Sequence, residues 1–341
     1  MKAYILSSGN ISPQHSLDKD AFFQTSVNTS TNFYRSLEPD YDAFVDSKMI
    51  RRMSRIVKMG VASAITCLRN ANLSSPAAIL TATAYGCLED TSSFLRRMIE
   101  FNERMLSPTA FIQSTHNTVG AQIALLLKCH NYNNTIVHRA FSFENALIES
   151  GLLLEDGMGP VLIGAVDEIT NDSHAILSRF GLYRRRRNER GNIAGEGATF
   201  FLLDKKAGEN NLAVLAGIET IYNPINTTTV YQTVRELLYK SKLKPDDVDL
   251  ILTPHTGIKK QDEYCDLLLQ SLFPGKPHFP YKSLCGDYPT ASGFALWLSA
   301  ILLHEQKAPS WMQKIKFPLR NILIHNQNGE TSHSFILISA S

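Results

Sequence analysis

Short apolar runs alternate with stretches of helical period through the first half of the chain. The runs are bounded by polar or small residues, which is typical of buried strands, and the longer stretches repeat apolar residues three and four positions apart. The predicted strands are residues 78–81, 135–137, 161–165 and 199–203, and the predicted helices are 50–71 and 119–128.

The same order recurs in the second half. Strands are predicted at residues 213–221, 249–253, 322–325 and 334–339, and helices at 228–240, 262–272 and 291–304. Strands that alternate with helices indicate parallel or mixed sheets covered by helices on both faces. We therefore predict an α/β protein. The polar, charged stretch 204–211 is the predicted boundary between an N-terminal half, 1–207, and a C-terminal half, 208–341.

Composition narrows the class of protein. The 341 residues are 44% hydrophobic and 19% charged with a net charge of +2, which favours a globular protein whose main partner is neither nucleic acid nor membrane. Five widely spaced cysteines without CxxC spacing indicate reduced thiols, and the apolar run before Ser7 is too short for a signal-peptide core, so we expect a cytoplasmic protein. No nucleotide motif or metal-ligand spacing is present, so we expect no cofactor.

Four segments, taken in order, point to one family. Residues 49–73 place a basic RRMSR opening before an Ala-rich helix, 117–124 read NTVGAQIA, 164–168 read GAVDE, and 191–205 read GNIAGEGATFFLLDK. Together they resemble the β-ketoacyl synthase family, in its elongating branch. The resemblance implies a thiolase-like fold, with duplicated halves in five layers ordered helix, sheet, helix, sheet, helix, and a structural role for Glu196.

The family's nucleophile is replaced in this sequence. Residues 133–149 run from a strand through a sharp bend into a helix, and this segment resembles the bend where family members carry a cysteine. Ala140 stands at that position. A methyl group cannot hold an acyl chain. Ser142 and Cys285 are the candidate substitutes, but the helical rotation should turn Ser142 away from the site, and Cys285 is expected to be a buried small side chain.

The family's two histidine motifs are only partly retained. His255 follows the predicted strand 249–253, as either a remnant catalytic residue or an ordinary hydrogen-bonded histidine. Residues 282–293 read KSLCGDYPTASG, where Lys282 is kept but Asp287 replaces the second histidine. An ionised carboxylate cannot donate a hydrogen bond to an oxyanion, so we predict that Lys282 and Asp287 form a structural pair.

The terminal loop also departs from the family. Its counterpart here, residues 325–334, keeps only Gly329 of the glycine-rich sequence and is predicted as an asparagine-rich turn. Three altered parts of one site indicate relaxed catalytic demand.

The resemblance implies a non-catalytic subunit of the chain-length-factor type, which pairs with a cysteine-bearing ketosynthase and receives acyl carrier protein. Phe141 and Phe143 would then line the substrate tunnel, and the carrier would meet a basic run, Arg184, Arg185, Arg186 and Arg187. The alternatives are an acyltransferase or malonyl decarboxylase that uses His255, and a homodimer with a structural or regulatory role. Fatty acid, polyene and polyketide products remain open.

Overall fold

The computed structural model describes residues 2–27, 32–186, 189, 191–312 and 315–341. The strands are β1 Ala3–Ile11, β2 Ala78–Ala82, β3 Tyr132–Ile136, β4 Val161–Asp167, β5 Gly197–Asp204, β6 Ala213–Tyr222, β7 Leu250–Thr253, β8 His278–Pro280, β9 Asn321–Asn328 and β10 Ser332–Ser339. The helices are α1 Lys19–Gln24, α2 Ser47–Ile50, α3 Arg55–Asn70, α4 Leu88–Glu100, α5 Pro108–Gln113, α6 Thr118–Leu127, α7 Ser142–Glu155, α8 Asn171–Arg179, α9 Thr227–Lys240, α10 Lys259–Leu272, α11 Lys282–Cys285 and α12 Ser292–Glu305.

The strands form one sheet whose two ends repeat each other. Its order is β3-β2-β4-β5-β1-β6-β10-β9-β7-β8. If β6 is counted as the first strand of the second half, both halves have the same order, and the two first strands pair antiparallel at the centre, from Ala3 opposite Leu215 to Ile5 opposite Ala213. The duplication predicted from the hydrophobic pattern is therefore present in the topology.

Helices α7 and α12 lie between the two halves of the sheet. Their buried side chains, among them Phe143, Leu147, Phe294 and Leu298, share one core with strands of both halves. Helix α12 is apolar on all sides, as expected for a helix that is covered all round. Helices α3 and α6 cover the outer face of the first half, and α9 and α10 that of the second. This is the predicted five-layer α/β arrangement.

Strand β1 was not predicted from the sequence. Its first residues are apolar, but the following ones are small or polar, so the sequence lacks the apolar pattern of a buried strand. These small residues are needed because α3 packs closely against this part of the strand. A Cβ at Gly9 would lie 2.1 Å from the Ser63 carbonyl oxygen of α3, and the Ser63 hydroxyl donates a 2.7 Å hydrogen bond to the Gly9 carbonyl. Small residues at the end of β1 therefore let the helix approach the backbone of the strand.

Two other predicted boundaries were wrong. The helix predicted at 50–71 is broken at residues 51–54 into α2 and α3. The predicted turn at 325–334 is instead the end of β9 and the start of β10, joined by a tight connection at 329–331. His325 and Asn326 are almost fully buried there, so pairing with the neighbouring strand overrides their low strand propensity.

Across the described parts of the chain, every helix is too short or too polar to span a bilayer.

Candidate functional site

The bend that carries Ala140 is built from a strand end, a single helical turn and a helix start. Strand β3 ends at Ile136, residues Arg139–Phe141 form a 3₁₀ turn, and α7 begins at Ser142. The Ser142 hydroxyl accepts a 2.9 Å hydrogen bond from the His138 amide and donates one of 3.2 Å to the Arg139 carbonyl. Ser142 therefore closes the bend and is fully buried, which agrees with the prediction that it faces away from the site.

A cavity of about 890 Å³ opens beside this bend. Its walls come from the bend, from α8 and the segment after it, from β6, and from the connection between β9 and β10. The lining residues are Tyr85, His138, Arg139, Ala140, Phe141, Asn145, Leu177, Leu182, Tyr183, Asn192, Thr220, Tyr222, Gln261, Asp287, Pro289, Asn328, Gly329, Thr331 and Ser332. Within the described structure, this lining includes Ala140 and contains no cysteine.

Lys282 and Asp287 form the predicted pair at the wall of the cavity. The buried Lys282 Nζ donates 2.7 Å hydrogen bonds to Asp287 Oδ1 and to the Gln327 carbonyl. Asp287 also accepts a 2.9 Å bond from Asn192 Nδ2. Because the carboxylate is held by a cation and an amide, it serves as a fixed acceptor in the wall, and Lys282 itself lies behind the cavity.

His255 lies outside the lining of the cavity. It follows β7, and its two ring nitrogens lie 2.8 Å from Thr253 Oγ1 and 2.9 Å from Asp266 Oδ1. The structure therefore does not bring His255 together with Ala140, and its assignment as a remnant catalytic histidine stays a prediction. The adjoining turn is fixed by Asp262, which accepts hydrogen bonds from the Thr256 and Gly257 amides.

The two candidate tunnel residues have different positions. Phe141 lines the cavity, and its ring stacks on His138 with centroids 5.7 Å apart. Phe143 is fully buried in the central core, where its ring lies 6.0 Å from that of Phe201. Phe141 ends the 3₁₀ turn and Phe143 lies in the first turn of α7, so the two rings point in different directions.

The basic run lies beside the cavity rather than in it. The Arg184 amide donates to the Asn192 carbonyl, and Arg185 Nε donates a 3.3 Å bond to the Ser178 carbonyl. Arg184 and Arg185 line a neighbouring hollow of about 540 Å³ that shares Tyr183 with the cavity. Arg186 is exposed, whereas Arg187 lies outside the described residues.

The sequence did not single out the polar residues that join the β9–β10 hairpin to the bend. Asn328 Nδ2 donates to the Ala140 carbonyl at 3.2 Å and to the Pro289 carbonyl at 3.3 Å. Behind it, the fully buried Glu144 accepts hydrogen bonds from Asn326 Nδ2 at 3.0 Å and the Ser334 hydroxyl at 2.8 Å, and burial raises its pKa above the ordinary value. The feature of the sequence that could have pointed to these residues is the asparagine-rich composition of residues 325–334.

Buried carboxylates hold the other walls of the cavity in place. Asp167, at the end of β4, accepts hydrogen bonds from the Ala84 amide and from the Thr83 and Thr290 hydroxyls, which fixes the segments that carry Tyr85 and Pro289. Next to it, burial raises the pKa of Glu168 to about 7. These acids have structural partners, and neither lines the cavity.

Glu196 has the structural role that the resemblance implied. It is fully buried and accepts a two-pronged pair of bonds from Arg55, of 2.7 and 2.6 Å. It also accepts from the amides of Ser36 and Ile169 at 2.8 and 3.0 Å. One side chain thus connects α3 with the segments before α2 and after β4.

Cys285 cannot substitute for the missing nucleophile in this conformation. It is fully buried, its Sγ lies 3.2 Å from the Gly286 carbonyl oxygen, and burial raises the pKa of the thiol above its ordinary value. A thiol that resists ionisation is a poor nucleophile. In the described ranges, no three His, Cys, Asp or Glu side chains converge in a way that could hold a metal ion.

Comparison with known proteins finds a family model that matches the first part of the chain and solved structures that share the fold of the whole chain. Residues 28–179 match the family model of the beta-ketoacyl synthase N-terminal domain. No curated protein matches the sequence. The fold is that of thiolase-like ketosynthases, and the predicted resemblance to the β-ketoacyl synthase family is confirmed.

Three solved structures illustrate the likeness of fold. The ishigamide ketosynthase/chain length factor has a TM-score of 0.81 at 14% identity, covering 100% of this chain and 99% of the other. A beta-ketoacyl synthase from Burkholderia phymatum STM815 has a TM-score of 0.80 at 12% identity with the same coverage. A chain from the Xenorhabdus doucetiae complex of the ketosynthase ApeO with its chain length factor ApeC has a TM-score of 0.76 at 13% identity, with 99% and 98% covered.

Proposed function

We propose that this chain is a non-catalytic ketosynthase-like subunit of the chain-length-factor type that pairs with an active ketosynthase. The observation that carries the proposal is the cavity at the bend, which is lined by Ala140 in place of a nucleophile. The same lining contains Asp287, held by Lys282, and an ionised carboxylate cannot supply the hydrogen-bond donor that an oxyanion needs. The site has volume and shape but lacks the groups of a covalent acyl transfer.

The proposal that the chain is an enzyme has less support at this cavity. A decarboxylase would need His255 to donate to the enolate that forms when malonyl loses carbon dioxide. Both ring nitrogens of His255 are within hydrogen-bond distance of Thr253 and Asp266 instead. Among the described lining residues, the histidine present is His138, which is exposed and stacked on Phe141.

Mass spectrometry distinguishes these two functions. We expect the purified chain to gain no acyl adduct when it is incubated with acyl-loaded carrier protein, because Ala140 cannot form a thioester. With malonyl-loaded carrier protein, we expect no loss of carbon dioxide. A cysteine-bearing ketosynthase treated in parallel serves as the positive control. An adduct on this chain, or decarboxylated carrier protein, would refute the non-catalytic proposal.

Strand β3 offers the surface for the partner ketosynthase. It stands at one end of the sheet, and among the described strands it pairs with β2 alone, so its other edge presents backbone donors and acceptors to a partner. The two helices that pack beside it carry exposed apolar side chains: Leu125 of α6 is 64% exposed, and Leu152 of α7 is 59% exposed. An open strand edge flanked by exposed leucines is typical of a protein interface.

A charge placed on this surface should prevent pairing. We expect the chain to co-elute with a cysteine-bearing ketosynthase from its own gene neighbourhood in size exclusion after co-expression. Leu152→Glu should weaken the complex about a hundredfold, because an unpaired charge buried in an interface costs about 3 kcal/mol.

The matched control is Tyr239→Glu, on α9 of the other half, where the side chain is 82% exposed. It should leave the complex intact. If the native chain forms only homodimers in the presence of the ketosynthase, the heterodimer proposal fails and the structural or regulatory homodimer is favoured.

We further propose that the basic run receives acyl carrier protein. Arg185 and Arg186 are exposed, Arg185 lines the hollow next to the cavity, and a cationic surface there would attract an acidic carrier. A chain of the AntDE:AntF structure, described as a type II PKS acyl-carrier protein in complex with its ketosynthase, matches the fold of this chain with a TM-score of 0.77 at 13% identity. That likeness supports a carrier partner for this chain only by analogy of fold.

A further inference from the structure

The cavity at the bend contains polar groups that the protein itself leaves without hydrogen bonds. Arg139 makes no side-chain hydrogen bond or ion pair with any described residue. The same holds for the hydroxyls of Tyr85 and Tyr183 and for the amide of Asn145, all in the lining. Four side chains from separate segments therefore face one space with unused hydrogen-bonding capacity.

These groups favour an acceptor-rich ligand. Arg139 has only donors, and burial raises the pKa of both Tyr85 and Tyr183, so the two phenols keep their protons and can donate. The one acid in the described lining, Asp287, is already neutralised by Lys282. The positive charge of Arg139 is thus left without a counter-ion in the wall, which favours an anionic group.

The backbone at Arg139 is unusual for such a side chain. Its φ is +47°, in the left-handed region that non-glycine residues seldom adopt. The bend therefore holds an arginine at some conformational cost directly beside Ala140. Strain that is kept at a cavity wall is consistent with a functional requirement for that position.

Part of the remaining lining is apolar. Phe141, Leu177, Leu182 and Pro289 form that part of the wall, and Tyr222 at the rim is 71% exposed, so the cavity is open to solvent. A volume of about 890 Å³ lies in the range that encloses small organic ligands. The site combines one cation and several neutral donors with an apolar surface.

We propose that this cavity binds, without a covalent bond, a free carboxylic acid with an apolar chain. The carboxylate pairs with Arg139 and accepts hydrogen bonds from Tyr85 and Tyr183, and the chain packs against Phe141, Leu177 and Leu182. The proposal deepens the proposed function, since a site that cannot hold an acyl group as a thioester can still recognise its acid by charge and shape.

Calorimetric titration of the full chain with octanoate tests this. We expect octanoate to bind and octanol, which keeps the chain but lacks the carboxylate, to bind at least about tenfold more weakly, as expected for loss of a charge-assisted hydrogen bond. Arg139→Gln should weaken octanoate binding by a similar factor while leaving octanol binding unchanged. Tyr85→Phe should weaken octanoate binding by a smaller factor.

Arg104→Gln is the matched control, because Arg104 is exposed and lies outside the lining of the cavity. It should bind octanoate like the native chain, and circular dichroism should show all variants folded. Equal affinity for octanoate and octanol, unchanged octanoate affinity in Arg139→Gln, or no octanoate binding would each overturn the ligand proposal. These outcomes are distinct from failure of the proposed function, which an acyl adduct or the absence of a heterodimer would show.

Discussion

Replacing Arg55 by methionine is expected to lower the free energy of unfolding by about 3–5 kcal/mol, since it leaves a buried carboxylate without its cation. Glu196 is fully buried, and Arg55 supplies two of its hydrogen bonds. Urea denaturation followed by circular dichroism measures the change. The three segments that Glu196 connects, around Ser36, Arg55 and Ile169, are expected to loosen together.

The matched control is Arg96→Met. Arg96 and Asp172 form a 2.8 Å ion pair in which the two side chains are 62% and 58% exposed. Surface pairs of this kind contribute about 0–1 kcal/mol. If Arg55→Met and Arg96→Met unfold at the same urea concentration, Glu196 is not the structural connection that its contacts indicate.

Lys282→Met is expected to have the second largest effect. The side chain is 3% exposed and holds both Asp287 and the Gln327 carbonyl, so its loss leaves an unpaired carboxylate in the wall of the cavity. We expect the free energy of unfolding to fall by about 3 kcal/mol. Thermal and urea melts of the purified variant measure it.

A second substitution tests whether the loss of stability in Lys282→Met comes from the unpaired charge of Asp287. Adding Asp287→Asn to Lys282→Met removes the unpaired charge, so the double variant should be more stable than Lys282→Met alone. Lys240→Met, which removes an exposed partner of Glu219, should leave the melting midpoint unchanged. A double variant less stable than the single one would show that Asp287 is held chiefly by Asn192 and not by the lysine.

Some parts of the site followed from the sequence because they depend on neighbours along the chain. The strand, bend and helix around Ala140 are consecutive, and Lys282 and Asp287 are only five residues apart, so local geometry was sufficient to pair them. The sequence also shows that residue 140 is an alanine, whose methyl group cannot act as a nucleophile.

Other parts depended on contacts between distant segments. The sequence placed His255 with the remnant catalytic residues, but the ring is turned to Asp266 of α10, and that contact is made only when helix and strand pack. The sequence analysis treated Phe141 and Phe143 alike, although the change from the 3₁₀ turn to α7 puts the first ring in the cavity and the second in the core.

By itself, the sequence determined the alternation of strands and helices, the duplication of the two halves and the presence of an alanine at position 140, because periodicity and residue identity are properties of the chain. Only the tertiary structure decided which polar groups face the cavity. Tyr85, Asn145 and Tyr183 come from separate elements, and Arg139 joins them through a left-handed bend. These side chains share one cavity because distant segments converge there, and the local sequence pattern around each residue does not predict that convergence.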